Sequence, residues 1–551
     1  MPTDIGAAAF DAVVVGAGHN GLVCAALLAG AGMSVCVVER RGVVGGAAVT
    51  EEFHPGFRNS TASYTVSLLA PEVIAELDLA AQGLTIVKRP LANFLPLPDA
   101  EHLSVGGGIA ATQAEVGRFS LADAGRLPAY YAMLERVAGV LRELVRVTPP
   151  VPGRDRRERV AQALALWKTT RAFRALDRVG QRDVIELFTK SAGDILDRWF
   201  ESDPIKAAFG FDAVVGNFQS PYAPGSAYVL LHHVFGEVNG ERGQWGHAIG
   251  GMGAITQAMA RACAARGVTI RTGAPVARVL VEDGRAAGVE LEAGATIRAP
   301  RVVANVNPKL LFGSLVDRST VDADFLRRID GWRCGSGTFR MNVALARLPR
   351  FACLEGEGAL PQHGAGIVVA PSLAYMERAY FDAKQLGWSR APIVEMLIPS
   401  VVDSTLAPHG MHVASLFCQH VHPEVGDVRP GTTWDDHRDT VADLMIATVD
   451  AVAPGFAASV LARRALTPLD LEREFGLVGG DIFHGALALD QLFAMRPVYG
   501  HADYRMPVPG LYLCGSGAHP GGGVTGLPGR NAAREILKDA RHTRRPARRR
   551  A

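Results

Sequence analysis

The N-terminal part of the chain alternates between short apolar runs and a glycine-rich turn. Residues 10–16, FDAVVVG, form an apolar run ending in glycine, which predicts a buried parallel strand. Residues 19–31 are rich in Ala and Leu and predict a helix, and residues 34–39, SVCVVE, predict a second strand. The pattern therefore predicts a strand–helix–strand unit at the start of the chain.

The pattern changes several times further along. Helical periodicity dominates residues 106–240, whereas residues 250–270 predict a turn, a helix and a strand. Residues 271–308 predict several short strands separated by turns, and residues 509–537 return to a strand, a glycine-rich loop and a helix. We infer that the chain leaves a nucleotide-binding domain and re-enters it twice.

The first turn carries a dinucleotide-binding pattern. Residues 16–21, GAGHNG, read GxGxxG between a predicted strand and a predicted helix, the context that gives this motif meaning. Gly16 permits a tight turn, Gly18 lets a pyrophosphate approach the backbone, and Gly21 lets the helix pack on the strand. The pyrophosphate would lie at the helix N-terminus beside Asn20, because free N–H groups and the helix dipole favour an anion there.

The second predicted strand ends in an acid. The Glu39 carboxylate can accept hydrogen bonds from a ribose diol and would repel a 2′-phosphate, which disfavours NADP. The fingerprint alone does not separate FAD from NAD. The following segment, which contains Arg40, Gly45 and Gly46, resembles the second glycine motif of FAD proteins of the glutathione-reductase-like superfamily.

The C-terminal glycine-rich loop favours a flavin. A predicted strand runs to Gly515, and the loop that follows contains Gly523, Val524 and Gly526 before a predicted helix. Few side chains cover the backbone of this loop, so a planar ring and its ribityl chain could lie against it. The helix N-terminus would stabilise negative charge on the reduced ring.

Taken together, these segments resemble the phytoene desaturase-like FAD oxidoreductases, which are related to amine oxidases. The matching stretches include VVVGAGHNGLVCAALLAGAG, ERRGVVGGAAVTEE, GGMGAITQAMA, RVVANVNP, GGDIFHGALALDQLFAMRP and GLYLCGSGAHPGGGVTGLPGRNAA, and they span almost the whole chain. The resemblance implies FAD as cofactor, backbone contact of Val276 with its adenine end, and an apolar substrate. It also allows a protein partner of the respiratory chain. One departure is Ala47, where many amine-oxidase relatives have Arg.

The expected fold class is α/β. We predict a Rossmann-like FAD-binding domain of the glutathione-reductase/amine-oxidase type, interrupted by an inserted α+β substrate domain. The predicted FAD-binding segments are 8–105, 245–310 and 476–540. The predicted substrate segments are 106–244, which is largely helical, and 311–475, and residues 541–551 are predicted to form a disordered basic tail.

Two histidines are the predicted catalytic residues. His519 precedes the glycine-rich loop and could face the flavin, or its imidazole could only brace the loop. His484, in GGDIFHGALALDQL, is the second candidate, with a structural role as its alternative. His247 is a weaker candidate for the site. Tyr499 and Arg496 could line the substrate cavity, with packing on the surface or in the core as the alternative.

The predicted activity is removal of hydride from a C–C or C–N bond. Carotenoid-type desaturation can proceed through a stabilised carbocation and then needs no strong base. One alternative is a flavin-dependent isomerase or saturase, and another is a non-catalytic flavoprotein that acts as a regulatory binding partner.

Composition limits the other possibilities. The seven Cys form no CxxC pair, and no histidine cluster has a metal-ligand spacing, so neither a redox disulfide nor a metal site is predicted. The net charge is +2, but residues 541–551 hold six Arg and no acid, so residues 1–540 carry a slight net negative charge. Residues 1–540 therefore give no sign of a nucleic-acid surface.

The expected localisation is cytoplasmic, because no signal peptide, presequence or membrane span is recognised. Segment 153–178 is basic with a partial apolar stripe that includes Val160, Leu164 and Trp167. This stripe gives a further expectation of peripheral membrane contact, with an ordinary covering helix as the alternative. No oligomeric state is predicted.

Overall fold

The computed structural model describes residues 9–151, 156–356 and 358–544 of the chain. The strands in this part of the chain are β1 (Ala12–Val15), β2 (Val35–Val38), β3 (Thr50–His54), β4 (Phe57–Ser60), β5 (Ile86–Lys88), β6 (Asn93–Pro96), β7 (His102–Val105), β8 (Glu237–Val238), β9 (Glu241–Arg242), β10 (Gly246–Ala248), β11 (Thr269–Arg271), β12 (Val276–Glu282), β13 (Arg285–Leu291), β14 (Thr296–Arg298), β15 (Val302–Ala304), β16 (Thr338–Leu345), β17 (Gly366–Val369), β18 (Trp388–Leu397), β19 (His412–Val421), β20 (Val460–Leu466) and β21 (Leu511–Leu513). The helices are α1 (His19–Gly30), α2 (Pro71–Leu77), α3 (Ile109–Gly117), α4 (Leu121–Leu144), α5 (Arg156–Thr169), α6 (Arg171–Ala175), α7 (Arg178–Thr189), α8 (Ala192–Trp199), α9 (Asp203–Val214), α10 (Ser226–Val234), α11 (Met252–Ala265), α12 (Pro308–Leu310), α13 (Ala323–Asp330), α14 (Leu373–Leu386), α15 (Trp434–Val452), α16 (Pro468–Phe475) and α17 (Leu527–Arg544).

A five-stranded parallel sheet carries the first glycine motif. Its strand order is β11-β2-β1-β15-β21, so it draws strands from all three predicted FAD-binding segments. All residues of β1, β2, β15 and β21 are buried, as expected for a parallel sheet that is covered on both faces. Helix α1 crosses from β1 to β2 and packs against α11 and α17. The strand–helix–strand unit predicted from the apolar pattern is therefore present.

A second sheet, of seven strands, lies in the other half of the molecule. Its order is β20-β16-β19-β18-β17-β6-β7, and all its pairs are antiparallel except β17–β6. Strands β6 and β7 lie inside the segment 8–105 that was predicted to belong wholly to the FAD-binding domain. In the structure, β6 and β7 pair within the seven-stranded sheet, and apolar side chains of these strands such as Phe94 and Leu103 are buried.

Helices α3 to α10 follow β7, as the periodicity of residues 106–240 predicts. Helix α9 packs on β6, β7 and α14, and so covers the seven-stranded sheet. Part of the predicted segment 153–178 forms α5, although residues 152–155 lie outside the described residues. No helix in the described ranges is long and apolar enough to cross a membrane.

The C-terminus differs from the prediction in one respect. Helix α17 runs to Arg544, so residues 541–544 of the predicted disordered tail continue a helix. The remainder of that tail, residues 545–551, lies outside the described residues. The prediction of an α/β fold with an added α+β region is confirmed.

Candidate active site

The turn after β1 can be built only with glycine. Gly16 has a φ of +97°, a left-handed conformation that side chains strain. A Cβ atom on Gly21 would lie 2.2 Å from the carbonyl oxygen of Gly16, so the helix could not pack on the turn. A Cβ on Gly18 would lie 2.9 Å from Nδ2 of Asn305 at the end of β15. The turn therefore leaves its backbone and the N-terminus of α1 uncovered.

The two glycine-rich ends of the chain meet at this turn. Asn20 Nδ2 donates a 3.2 Å hydrogen bond to Ser516 Oγ, although the two residues are 496 positions apart. A Cβ on Gly529 would lie 2.0 Å from the carbonyl oxygen of Asn20, so α17 packs directly on α1. The side chain of Asn20 is 1% exposed, and its Oδ1 has no hydrogen-bond partner among the described residues. This buried acceptor oxygen remains available to a bound group.

Glu39 is held with its carboxylate next to the turn. Its Oε2 accepts the N–H of Ala17 at 2.8 Å, and its Oε1 accepts the N–H of Arg41 at 2.9 Å. A carboxylate has about four acceptor positions, so capacity remains for the two hydroxyls of a ribose. The backbone N–H of Ala274 donates to the carbonyl oxygen of Glu39, which brings the start of β12 and Val276 to the same place.

The second glycine pair lies against the first motif. The N–H of Gly45 donates to the carbonyl oxygen of Ala17 at 2.8 Å, and Gly45 bridges to Gly18. A Cβ on Gly46 would lie 3.3 Å from the Cα of Gly18. These close approaches explain why the predicted pair is glycine. Ala47, which replaces the arginine of many amine-oxidase relatives, follows this pair and supplies no charge.

The C-terminal loop between β21 and α17 has an unusual backbone. Gly523, Val524 and Gly526 all have positive φ, at +104°, +57° and +73°. Gly515 packs on Asn305, and Gly526 packs on Val73, so both glycines support the loop. Their contact with the cofactor stays a prediction.

A buried arginine holds the same loop in place. The Arg496 guanidinium is 0% exposed and donates to the carbonyl oxygens of Ser516, Phe483, Gly485 and Gln491. It thereby ties the loop after β21 to residues 483–491. Arg496 was predicted either to line the substrate cavity or to pack on the surface or in the core, and it is buried in the core. Tyr499, the other such candidate, is 53% exposed on the surface.

One cavity of about 450 Å³ joins the predicted elements. It is lined by Gly16, Gly18, Glu39, Arg40, Gly45, Gly46, Val276, Ser516, Gly523 and Val524 among others. The same cavity continues between the seven-stranded sheet and α9, where Tyr64, Leu68, Phe211, Asp212, Val215, Trp245 and Glu395 form its walls. Most of the residues predicted to bind the cofactor therefore line one continuous cavity. We call the part around Gly18 and Glu39 the backbone-rich part, and the part beside α9 the side-chain-rich part.

The predicted catalytic histidines lie in different places. His484 lines the cavity together with His19, and burial lowers the pKa of His484 to about 4 and that of His19 to about 3. Both imidazoles are therefore neutral near pH 7, and Nδ1 of His484 has no hydrogen-bond partner among the described residues. His484 can act as a neutral donor or acceptor towards a bound group.

His519 does not line this cavity. Its Nε2 lies 3.0 Å from the carbonyl oxygen of Leu144, and its ring packs against Phe493 at 5.4 Å between centroids. Burial lowers the pKa of His519 to about 4. This geometry favours the alternative in which His519 braces the loop. The weaker candidate His247 pairs with Asp403 at 2.9 Å and is also placed in a structural contact.

Comparison with known proteins agrees with this site. The model of the family described as flavin containing amine oxidoreductase matches residues 21–337. A rat protein, "Pyridine nucleotide-disulfide oxidoreductase domain-containing protein 2", is 42% identical and covers 97% of this chain and 94% of its own length. The chain belongs to the flavin-containing amine oxidoreductase family. The predicted resemblance to FAD oxidoreductases is confirmed.

A more distant relative and a solved structure are similar to this chain over almost its whole length. "Phytoene desaturase (neurosporene-forming)" of Cereibacter sphaeroides is 24% identical over 97% of this chain and 96% of its own. The solved structure of a putrescine oxidase triple mutant has a TM-score of 0.59 at 15% identity and covers 97% of this chain and 99% of that one. The likeness to this structure shows the fold class, and membership of the flavin-containing family makes the chain an FAD oxidoreductase.

The residues present fit FAD. The uncovered turn and helix N-terminus suit a pyrophosphate, the spare acceptor positions of Glu39 suit a ribose, and the unpartnered Oδ1 of Asn20 is available to a polar group. Gly523 and Val524 leave the C-terminal loop open for a planar ring. These assignments of individual residues remain predictions.

Sequence reasoning missed the polar residues in the side-chain-rich part of the cavity. Tyr64, Asp212 and Glu395 come from a loop, from α9 and from β18, and none of them stands in a recognisable motif. Asp212 follows Phe211 within a predicted helix, where a polar residue normally indicates a solvated face. Only the packing of α9 on the sheet brings these three side chains into one cavity.

Proposed function

We propose that this FAD oxidoreductase removes a hydride from a C–C or C–N bond of a substrate with a largely apolar body. The observation that carries the proposal is that one cavity runs from the glycine-rich turn into the side-chain-rich part. Leu68, Phe211 and Val215 form an apolar chamber there. FAD, when bound, supplies the two-electron oxidant. The relative named for phytoene desaturation supports an apolar substrate body.

The apolar chamber is suited to hold a substrate and exclude water. A Cβ on Gly523 would lie 2.6 Å from Leu68 Cδ1, and a Cβ on Gly522 would lie 2.6 Å from Phe483 Cδ1, so apolar side chains contact the C-terminal loop directly. Phe211 and Val215 from α9 and its C-cap line the opposite wall and are 3% and 8% exposed. Apolar walls bind a substrate body by burying its surface, at about 25 cal/mol per Å².

His484 is the residue we place beside the reacting part of the substrate. It is neutral near pH 7 because burial lowers its pKa to about 4, so it orients a polar atom without adding a charge. A neutral imidazole is compatible with desaturation through a carbocation, which requires no strong base. His519, which bonds Leu144, has no part in this proposal.

Two other functions use the same cavity. A flavin-dependent isomerase would leave FAD redox-neutral over one cycle, and a saturase would pass hydride from reduced flavin to its substrate, with an external electron donor reducing the flavin again. A non-catalytic flavoprotein would bind a ligand or a protein partner without turnover. A protein partner of the respiratory chain, which the family resemblance allows, would serve either as electron acceptor or as the regulated protein.

Anaerobic titration of the FAD-bound protein with candidate substrates distinguishes these functions. The proposed dehydrogenase bleaches the visible flavin absorbance in proportion to the product formed. Product without net bleaching would contradict it in favour of an isomerase. Ligand binding with neither bleaching nor product would favour the binding role.

We also propose that α5 contacts a membrane surface and admits an apolar substrate. Val160, Leu164 and Trp167 on this helix are 55%, 56% and 59% exposed, and Lys168 lies in its last turn. Apolar side chains flanked by basic residues are typical of interfacial helices. The expected result is co-sedimentation with vesicles that contain anionic lipid, which a Leu164→Glu, Trp167→Glu double variant abolishes. Equal sedimentation of the variant would contradict the proposal.

A further inference from the structure

The side-chain-rich part of the cavity ends in a group of polar residues that the proposed hydride removal does not use. Tyr64, Asp212 and Glu395 line it, and they are contributed by the loop after β4, by α9 and by β18. The apolar wall formed by Phe211 and Val215 adjoins them on the same helix. A cavity that holds only a hydrocarbon has no use for the buried carboxyl of Glu395 and the half-buried carboxyl of Asp212, because each costs free energy to desolvate.

Glu395 is fixed with one oxygen in use and one to spare. Its side chain belongs to a residue that is 6% exposed, and the Tyr64 hydroxyl donates to its Oε2 at 2.5 Å. Gly366 on the neighbouring strand β17 makes room for the other oxygen, since a Cβ there would lie 2.9 Å from Oε1. No residue in the described ranges donates a hydrogen bond to Oε1.

Asp212 faces the cavity from α9 without a hydrogen-bond partner among the described residues. Burial, and then the charge of Glu395, raise the pKa of Asp212 to about 8, whereas Arg89 opposes this shift. The carboxyl of Asp212 therefore exchanges a proton in the physiological range. An acid with this environment is stabilised by a hydrogen-bond donor or by a cation beside it.

The nearby arginines do not supply that donor. Arg340 gives its three side-chain nitrogens to the carbonyl oxygens of Ala62 and Leu416 and to Ser415 Oγ, and its guanidinium lies 4.3 Å from the centre of the Tyr64 ring. Arg89 donates to Thr65 Oγ1. The arginines therefore offset charge and fix Tyr64, but within the described ranges they donate no hydrogen bond to Asp212 or Glu395.

We infer that Asp212 and Glu395 bind an N–H or O–H group carried by the substrate. The substrate is then amphipathic, with an apolar body in the chamber of Leu68 and Phe211 and an amine or hydroxyl at the carboxyl pair. We expect an anionic end group to bind less well, because the open oxygen of an ionised Glu395 can only accept a hydrogen bond and repels a second negative charge. This inference rests on the proposed function, since it concerns the substrate end of the same cavity, but it is tested by binding rather than by turnover.

The test compares four ligands that share one body: octylamine, octanol, octane and octanoate. Each is titrated anaerobically into the FAD-bound protein, and binding is followed by the flavin difference spectrum and by calorimetry. We expect octylamine or octanol to bind at least tenfold more tightly than octane, and octanoate to bind weakest. Tight octylamine assigns the amine as the end group, and tight octanol assigns the hydroxyl. Equal affinities for octane and both donors, or tightest binding of octanoate, would overturn the inference.

Variants then assign the preference to the two carboxyl groups. Asp212→Asn and Glu395→Gln keep the side-chain shape, and we expect each to reduce the preference for the donor ligand over octane at least fivefold, with octane affinity and flavin content unchanged. Glu143→Gln, on the exposed face of α4, serves as the matched control with no expected change. Tyr64→Phe provides a second way to disturb Glu395 if an acid variant loses flavin. An unchanged preference in all three cavity variants would overturn the inference.

Failure of this inference and failure of the proposed function give different results. If no ligand shows a donor preference while a substrate still bleaches the flavin, the carboxyl pair has another role and the proposed dehydrogenase stands. If the donor preference is present but no substrate bleaches the flavin, the ligand class stands and the proposed reaction does not.

Discussion

The two parts of the cavity are built on different principles. The part around Gly18 and Glu39 is made of backbone, with glycines where a Cβ would collide and a helix N-terminus facing the cavity. The part around Asp212 and Glu395 is made of side chains, which come from a helix and a sheet that approach only in the folded chain. Backbone geometry suits a cofactor whose shape is constant, whereas exchangeable side chains suit a substrate that differs between relatives.

The largest expected effect concerns the backbone-rich part. In Gly21→Ala the new Cβ would lie 2.2 Å from the carbonyl oxygen of Gly16, so the turn and helix must separate. We expect the purified protein to retain less than about a tenth of its flavin, because the phosphate-binding turn is lost. The flavin absorbance per protein measures this.

Gly42→Ala is the matched control for that variant, since a Cβ there meets nothing within 4 Å. It should retain its flavin in full. A Gly21→Ala protein with the same flavin content as Gly42→Ala would show that the turn does not determine cofactor binding.

The next largest effect is a loss of stability at Arg496, which ties the C-terminal loop to Phe483. Arg496→Met leaves the buried carbonyl oxygens of Phe483 and Ser516 without their donor. We expect the free energy of unfolding to fall by at least about 3 kcal/mol, because each unsatisfied buried group costs about 1–3 kcal/mol. Denaturant unfolding of the FAD-bound protein measures the change.

Arg333→Met is the matched control, because it removes an arginine that lies on the surface. Arg333 pairs with Asp490, and the two side chains are 55% and 59% exposed. The expected loss is below about 1 kcal/mol, as for other exposed ion pairs. Equal losses for Arg496→Met and Arg333→Met would remove the argument that Arg496 supports the loop.

A smaller effect is the pH dependence of ligand affinity in the side-chain-rich part of the cavity. Asp212, whose pKa is raised to about 8, faces Glu395, Arg89, Tyr130 and Tyr131. Below pH 8 it is mostly protonated and above pH 8 mostly anionic, while an alkylammonium stays charged throughout. We therefore expect octylamine to bind roughly tenfold more tightly at pH 8.5 than at pH 6.5. In Asp212→Asn this slope should disappear, and a slope that persists would assign it to another group.

The smallest effect on the reaction is expected at His519. Its Nε2 bonds the carbonyl oxygen of Leu144 and it does not line the cavity. His519→Gln should lower the melting temperature but leave the rate of anaerobic flavin reduction within about twofold, because the loss of one hydrogen bond is a stability effect of about 1 kcal/mol. Stopped-flow absorbance measures the rate. A drop of tenfold or more at full flavin content would restore the catalytic role predicted from the sequence.

The contrast between the backbone-rich and the side-chain-rich part also explains how much of the fold and the site could be predicted from the sequence. The turn at Gly16–Gly21, the acid Glu39 and the C-terminal loop were predicted because each depends on residues that are neighbours in the chain. The placement of β6 in the seven-stranded sheet was missed, since an apolar strand carries no sign of which sheet will pair with it. Asp212 and Glu395 were missed because only tertiary packing brings them together. For His519 the sequence left a catalytic and a bracing role open, because proximity to a glycine motif does not determine where an imidazole points, and its contact with Leu144 favours the bracing role.

The contact between α1 and α17 has a consequence for biosynthesis. Asn20 is among the first described residues to be translated, and its partner Ser516 is among the last. A chain that emerges from the ribosome therefore completes its coenzyme pocket only after Ser516 has been synthesised. We expect loading with FAD to follow synthesis of β21 and the loop after it, and a chain that terminates before β21 to leave the pocket open.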